Sequence, residues 1–235
     1  MKKATSGHCR AFREAVNFLA VCGLMRILAA IVIIAWLVTV SAVASGPSPV
    51  ETLKDSVHQV MTILKETQDE SGDRIQVRHH RLWPVVQEAF DFLEIGRIGL
   101  GNSWNLLSHR EQSVFATTFA ELVSIAYLSD VDEEIHNVTI DYMDFTFLDD
   151  AKTRARVLTR ANWKLLAVDI DYSMRFYEGN WRIYDVGVMG ISLAGNWRAQ
   201  LTALLKQESP AQLIERLKKQ VAAQKLAWNK KPAMP

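Results

Sequence analysis

From residue 45 onward the chain alternates between two hydrophobic rhythms, and their order predicts helices first, then strands, then helices again. Leu53, Val57, Val60, Met61 and Leu64 recur at helical spacing behind Ser48-Pro49-Val50-Glu51. In that opening Ser48 can cap, Pro49 suits the first turn and Glu51 completes a capping box. Gly72-Asp73 ends this helix, and a second stretch, roughly 74–90, is charged and contains Pro84, where a break or kink is expected. Ser108-His109-Arg110-Glu111 opens the clearest helix, whose stripe of Val114, Phe115, Thr118, Phe119, Leu122, Val123, Ala126 and Tyr127 is wider than a surface helix needs. Ser209-Pro210-Ala211-Gln212 announces a last helix carrying Leu213, Leu217 and Val221, with the tail 228–235 expected to be flexible.

Between these helices the period drops to two. Val168, Ile170, Tyr172, Met174 and Phe176 alternate with Asp169, Asp171, Ser173 and Arg175, as in a strand with one buried face. Glu178-Gly179-Asn180 reads as a turn from which Trp181 to Ile191 returns, and 139–148 with 152–159 reads as an earlier hairpin turning at Asp149-Asp150. About four antiparallel strands flanked by helices make an α+β fold.

The first 44 residues follow neither rhythm. Residues 27–43 carry no charge and lead into Ala42-Val43-Ala44, the small-residue pattern of a signal cleaved after Ala44. Seventeen residues make about 25 Å of helix, short of a ~30 Å hydrocarbon core, which favours a cleaved signal over a retained anchor. Met25-Arg26 would make a conventional start, so residues 1–24 read as the product of an upstream start codon. The expected domains are therefore 1–44 signal, 45–227 folded domain and 228–235 tail, with the mature chain exported.

Both cysteines, Cys9 and Cys22, fall in the leader, so the mature chain must rest on its core instead of disulfides. Removing the leader takes away Lys2, Lys3, Arg10, Arg13, Arg26 and Glu14, leaving 22 basic and 25 acidic residues and a net charge of −3. That balance argues against a nucleic-acid partner.

The chemistry is thin. Gly190-Ile191-Ser192-Leu193-Ala194 approaches a nucleophile elbow but lacks the fifth glycine, and no histidine follows Ser192, the last being His136. An α/β-hydrolase triad is excluded, and Ser192 reads as the cap of a helix starting near Leu193. His79 and His80 are adjacent and the other histidines scattered, so no metal or other cofactor is expected. Asp169 and Asp171 share a strand face and could do acid–base work, but Arg154 or Arg156 on a neighbouring strand would pair with them.

Three pieces together resemble the MlaC, or toluene-tolerance, family: Phe90-Asp91-Phe92 with Leu100-Gly101-Asn102-Ser103-Trp104; the helix Phe115 to Tyr127; and Val168 to Tyr172, Trp181 to Val186, Gly190 to Leu193 and Asn196-Trp197-Arg198. They span about 51–217. The chain departs from the family at Trp197, where Tyr is usual, and at Arg160 to Trp163, which lacks a small polar turn. The resemblance implies a twisted antiparallel sheet packed against a helical part, with a deep apolar pocket between them for phospholipid tails. It also implies a non-enzymatic periplasmic carrier, shuttling lipid between an outer-membrane lipoprotein complex and an inner-membrane ABC transporter with its lipid-binding subunit. The expected pocket wall is Phe115, Phe119, Tyr127, Tyr142, Ile170, Tyr172, Met174, Tyr184, Val186, Val188 and Ile191, with Arg175 or Arg198 near the headgroup. The alternatives are a hopanoid-type carrier, a small pocket enzyme using Asp169 or Asp185, and a structural envelope subunit with a filled core.

Overall fold

The computed structural model describes residues 46–67, 74–128 and 137–229; the side chains of residues 74–75, 127–128 and 227–229 fall outside the description. The expected signal segment, the Gly72-Asp73 stop, residues 129–136 and the last six residues lie outside the described residues. Two helices come first, α1 (Pro49–Glu66) and α2 (Arg74–Ala89), then α3 (Phe92–Leu100), a 3-10 turn (Gly101–Leu106) and α4 (His109–Leu128). A sheet follows, made of β1 (Thr139–Phe147), β2 (Arg154–Trp163), β3 (Leu166–Tyr177), β4 (Asn180–Val188) and the two-residue β5 (Ile191–Ser192). Helices α5 (Leu193–Leu205) and α6 (Pro210–Asn229) complete the chain. The strands pair antiparallel in sequence order, so the sheet is an open meander.

The capping boxes form as the sequence predicts. Ser48 Oγ accepts from the Glu51 amide at 3.1 Å while Glu51 Oε2 accepts from the Ser48 amide at 3.0 Å. Ser108 with Glu111 and Ser209 with Gln212 repeat this exchange at the starts of α4 and α6. The expected break at Pro84 does not occur: α2 runs through it. A proline inside a helix removes one hydrogen bond and crowds the preceding turn. Burial of Leu82 and Ala89 in the same helix offsets that cost. Helix α3, which periodicity did not reveal, starts where Asp91 caps it by accepting from the Glu94 amide at 2.9 Å.

The hairpin turns carry the left-handed backbone that two-residue connections require. Glu178 (φ 50°) and Gly179 (φ 86°) link β3 to β4. Met189 (φ 52°) and Gly190 (φ 80°) reverse the chain again after Val188, so the expected continuous strand to Ile191 is cut and Ile191 pairs back on Val188. Two bulges reset side-chain parity. Tyr142 faces Thr159 but Asp144 faces Leu158, leaving Met143 extra on β1; Ser173 faces Asp185 but Met174 faces Ile183, leaving Tyr184 extra on β4.

Two cores result. One is helical, with Ile95, Leu100, Trp104, Phe115, Phe119, Leu201, Leu213, Ile214 and Leu217 interlocked among α3, α4, α5 and α6. The other lies between α1 and the sheet, with Leu53 seated on Ala155, Val157, Met174, Trp181 and Ile183.

Candidate functional site: an apolar cavity under the first two helices

Helix α1 is held most firmly near its two ends. At one end Leu53, 1% exposed, is bedded in the sheet core. Near the other, Leu64 is buried and Arg78 Nε on α2 donates to Thr67 Oγ1 at 3.3 Å. The residues between, Ser56, Val57, Val60 and Met61, face a cavity of about 580 Å³. Its other walls are Leu53 itself, Val85, Val86 and Ala89 of α2 with Phe90, Val138 just before β1 and Ile140 within it, the end of β2 (Ala161, Trp163), Leu166, Val168, Ile170 and Tyr172 of β3, and Ile183 of β4. That volume lies within the range of roughly 300–1,000 Å³ typical of small-molecule sites.

The hollow follows from side-chain size. Valines predominate on the helix roof (Val57, Val60, Val85 and Val86), and their short side chains leave space above the floor at Ile140, Ala161, Val168 and Ile170. No charged side chain is among the described lining residues. The two hydroxyl groups on the wall belong to Ser56 and Tyr172. Burial pushes the Tyr172 phenol above its ordinary pKa, an effect its hydrogen bond with Thr159 partly opposes. Nearby Tyr142 is pushed up to about 12, chiefly by burial and then by Tyr172, so both phenols stay neutral across the physiological range.

Of the eleven residues expected on the wall, the structure brings Ile170 and Tyr172 to the cavity. Phe115 and Phe119 are instead stacked at 5.7 Å inside the helical core, with Trp104 at 6.3 Å and Trp197 at 5.3 Å closing around them edge-on. The broad stripe of α4 is wide because α3, α5 and α6 surround it, and its described residues are absent from the cavity lining. The Trp197 departure from the family pattern has its place in that packing. Met174 is fully buried beneath Leu53, and Tyr142 and Val186 pack at the margin of the same sheet core. The bulge turns Tyr184 out of the row of Val186 and Val188, so it packs on the helical core with the Arg154 guanidinium 5.2 Å from its ring. Val188 pairs with Ile170 without joining the lining, and Ile191 is exposed beyond the Gly190 turn. The backbone of Tyr127 belongs to the last turn of α4, and its side chain lies outside the described residues.

Sequence reasoning placed most of its expected wall residues away from this cavity because it set the sheet against the widest helical stripe. The signal was present in α1, whose sheet-facing positions at 56, 57, 60 and 61 hold no residue larger than methionine.

The groups considered for catalysis have structural partners. Ser192 Oγ accepts from the Gly195 amide at 2.8 Å and donates to Asp185 Oδ2 at 2.6 Å, while Asp185 Oδ1 accepts from the Ala194 amide at 2.9 Å. Serine and aspartate together thus satisfy the first amides of α5. Asp169 is bound by Arg160 at 2.6 Å, and this hydrogen bond holds its carboxyl below the usual range, away from that of a general base. Arg156, not Arg154, stands near Asp171, at 3.8 Å. Arg154 pairs with Glu94 at 3.1 Å, and Arg175 pairs with Asp91 and, at 3.5 Å, with Glu94, on the sheet face opposite Ile170 and Tyr172. Arg198 sits beside Gly101, remote from the cavity lining. Among the described residues no cluster of three or more His, Cys, Asp or Glu could hold a metal ion, and no helix is long and apolar enough to cross a membrane.

The MlaC protein family matches residues 54–219, most of the chain. The chain belongs to the MlaC family. No curated protein matches it. Among solved structures it is similar to a phospholipid-binding protein from Ralstonia solanacearum, determined in complex with a phospholipid. The two share 21% identity with a TM-score of 0.62, over 74% of this chain and 96% of that one. At that identity the likeness establishes a common α+β fold for this MlaC-family chain.

Proposed function

We propose that the protein is a periplasmic phospholipid carrier that buries acyl tails in the cavity beneath α1 and α2, without catalysing a reaction. The observation that carries this reading is the cavity itself: an open, hydrocarbon-walled space with no charged side chain among its described lining residues, in a chain of the MlaC family. The phospholipid bound to the Ralstonia solanacearum protein of the same fold supports it.

A tail of about fourteen methylenes gains on the order of 11 kcal/mol on leaving water, at roughly 0.8 kcal/mol for each methylene. A carrier must supply nearly that much, yet not much more than a bilayer does, or it would never release its cargo. Walls of valine, isoleucine and methionine meet that requirement, while a buried cation would bind the phosphate and slow release. Ile170 and Tyr172, with Val57, Val60 and Val168, are the proposed tail contacts, and the headgroup stays in water at the mouth. Such a carrier would receive lipid from an outer-membrane lipoprotein complex and deliver it to an inner-membrane ABC transporter, or run in reverse.

Native mass spectrometry of the purified protein tests this reading. The expected result is an added phospholipid mass, with the loaded fraction cut about tenfold in Ala161→Phe, which fills the cavity from its floor. A wild-type protein that stays empty after incubation with phospholipid, or an Ala161→Phe variant that loads fully, would overturn it.

A further inference from the structure

The turn between β2 and β3 breaks the rules of its own geometry. Trp163 pairs with Leu166, so Lys164 and Leu165 form a two-residue connection, and Lys164 sits at φ 55°. Such turns favour Asn, Asp and Gly, which tolerate that backbone and prefer water. Here the apex is Leu165, fully exposed, and the next residue, Leu166, is mostly exposed too. Nothing in the fold gains from this: Leu165 touches no core, and polar side chains would make the turn more easily.

The turn also borders the cavity, because Trp163 and Leu166 line it while Leu165 stands outside. The Lys164 ammonium lies 4.8 Å from the centroid of the Trp163 ring. Within a few residues the surface becomes polar again, with Arg160 paired to Asp169 and Asn162 donating to Asp141 Oδ2 at 2.8 Å.

We propose that this turn is the point at which the protein dips into a lipid bilayer, so that a tail can pass from hydrocarbon to hydrocarbon along Leu166 and Trp163. This inference rests on the carrier reading. The chemistry favours a bilayer over a protein partner. A stable protein interface needs about 800 Å² from each side, far more than a two-leucine tip between polar pairs provides. A membrane surface needs only a small apolar wedge, with tryptophan at headgroup depth and a lysine whose stem is buried while its charge stays wet.

Leu165→Glu tests the idea without touching core or cavity. Uptake is followed from protein-free vesicles of phosphatidylethanolamine and phosphatidylglycerol, and separately from dihexanoyl phosphatidylcholine supplied as monomers. The expected result is uptake from vesicles slowed about tenfold, with weakened vesicle flotation, while uptake of the monomeric lipid is unchanged and Leu165→Trp restores the vesicle rate. Unchanged uptake from protein-free vesicles would overturn the inference, and a defect confined to vesicles carrying membrane proteins would overturn it in favour of a protein dock. Failure of the wild-type protein to take up the monomeric lipid would instead bring down the carrier reading, and this inference with it.

Discussion

The helical core and the space under α1 are made from similar fractions of apolar residues and end in opposite states. In the core, aromatic rings and close backbones leave nothing over: a Cβ added at Gly96 would meet Trp104 at 3.0 Å and Phe115 at 3.2 Å, and one at Gly99 would meet Leu201 at 2.9 Å. Under α1, the helix is bedded at Leu53, with Val57 packed beside it, and tied at Thr67, and Ser56, Val60 and Met61 between these supports border open space. Hydrophobicity alone does not separate a core from a binding site. Side-chain length relative to the gap fixed by the backbone does.

Truncating one apolar residue on each side of this comparison breaks it most directly. Phe115→Ala, at a position with no solvent exposure, should cost about 3–5 kcal/mol, because the Trp104 and Phe119 rings are left facing a void. Thermal unfolding should fall by about 10 °C. Val60→Ala on the cavity roof should cost under about 1 kcal/mol, since that side chain already borders open space. Equal losses at the two positions would mean that the cavity is not hollow in solution.

The seam between the helical core and the sheet gives the next largest effect. Glu94 is buried beside Arg97 (2.7 Å), Arg154 (3.1 Å) and Arg175 (3.5 Å), and the Arg97 hydrogen bond above all holds its carboxyl below the usual range. Because its folded pKa is depressed, its contribution is complete above the ordinary glutamate value near ~4.3 and is lost as pH falls through the folded value. The arginines are partly exposed, so the loss in Glu94→Gln at neutral pH should be about 2 kcal/mol, less than for a fully buried pair. Urea midpoints measured down the acid limb should show wild type and variant converging as Glu94 protonates. A constant gap would place the acid sensitivity elsewhere.

How much of this was legible from sequence divides along the same line. Capping boxes at Ser48, Ser108 and Ser209 and the alternation through β3 are local signals, and each produced its element. The α+β order followed from them. The cavity wall is a property of pairing between distant elements, and a single extra residue was enough to spoil the reading. With Tyr184 bulged out of register, Ile183 takes the inward place that alternation from Val186 had assigned to Tyr184. Likewise the richest stripe, on α4, was drawn into a closed core by α3, a nine-residue helix whose cap at Asp91 lacks a periodic run long enough to announce it. Ile170 and Tyr172 were legible because β3 is central and unbroken up to that point.

Ser192 offers the smallest and sharpest comparison, between a corner that shapes the fold and a wall that holds cargo. Ser192→Ala removes the acceptor for the Gly195 amide, but Asp185 keeps its bond to the Ala194 amide, so the loss should be about 1 kcal/mol, a shift of about 3 °C in unfolding temperature. The corner contributes nothing to the cavity lining, so the lipid-loaded fraction in native mass spectra should be unchanged. A variant that folded normally but lost its lipid would give Ser192 a part in binding that its position at the head of α5 does not provide. A stability loss well above a typical cap would instead mean that Asp185, deprived of the serine hydroxyl, no longer holds α5 against β4.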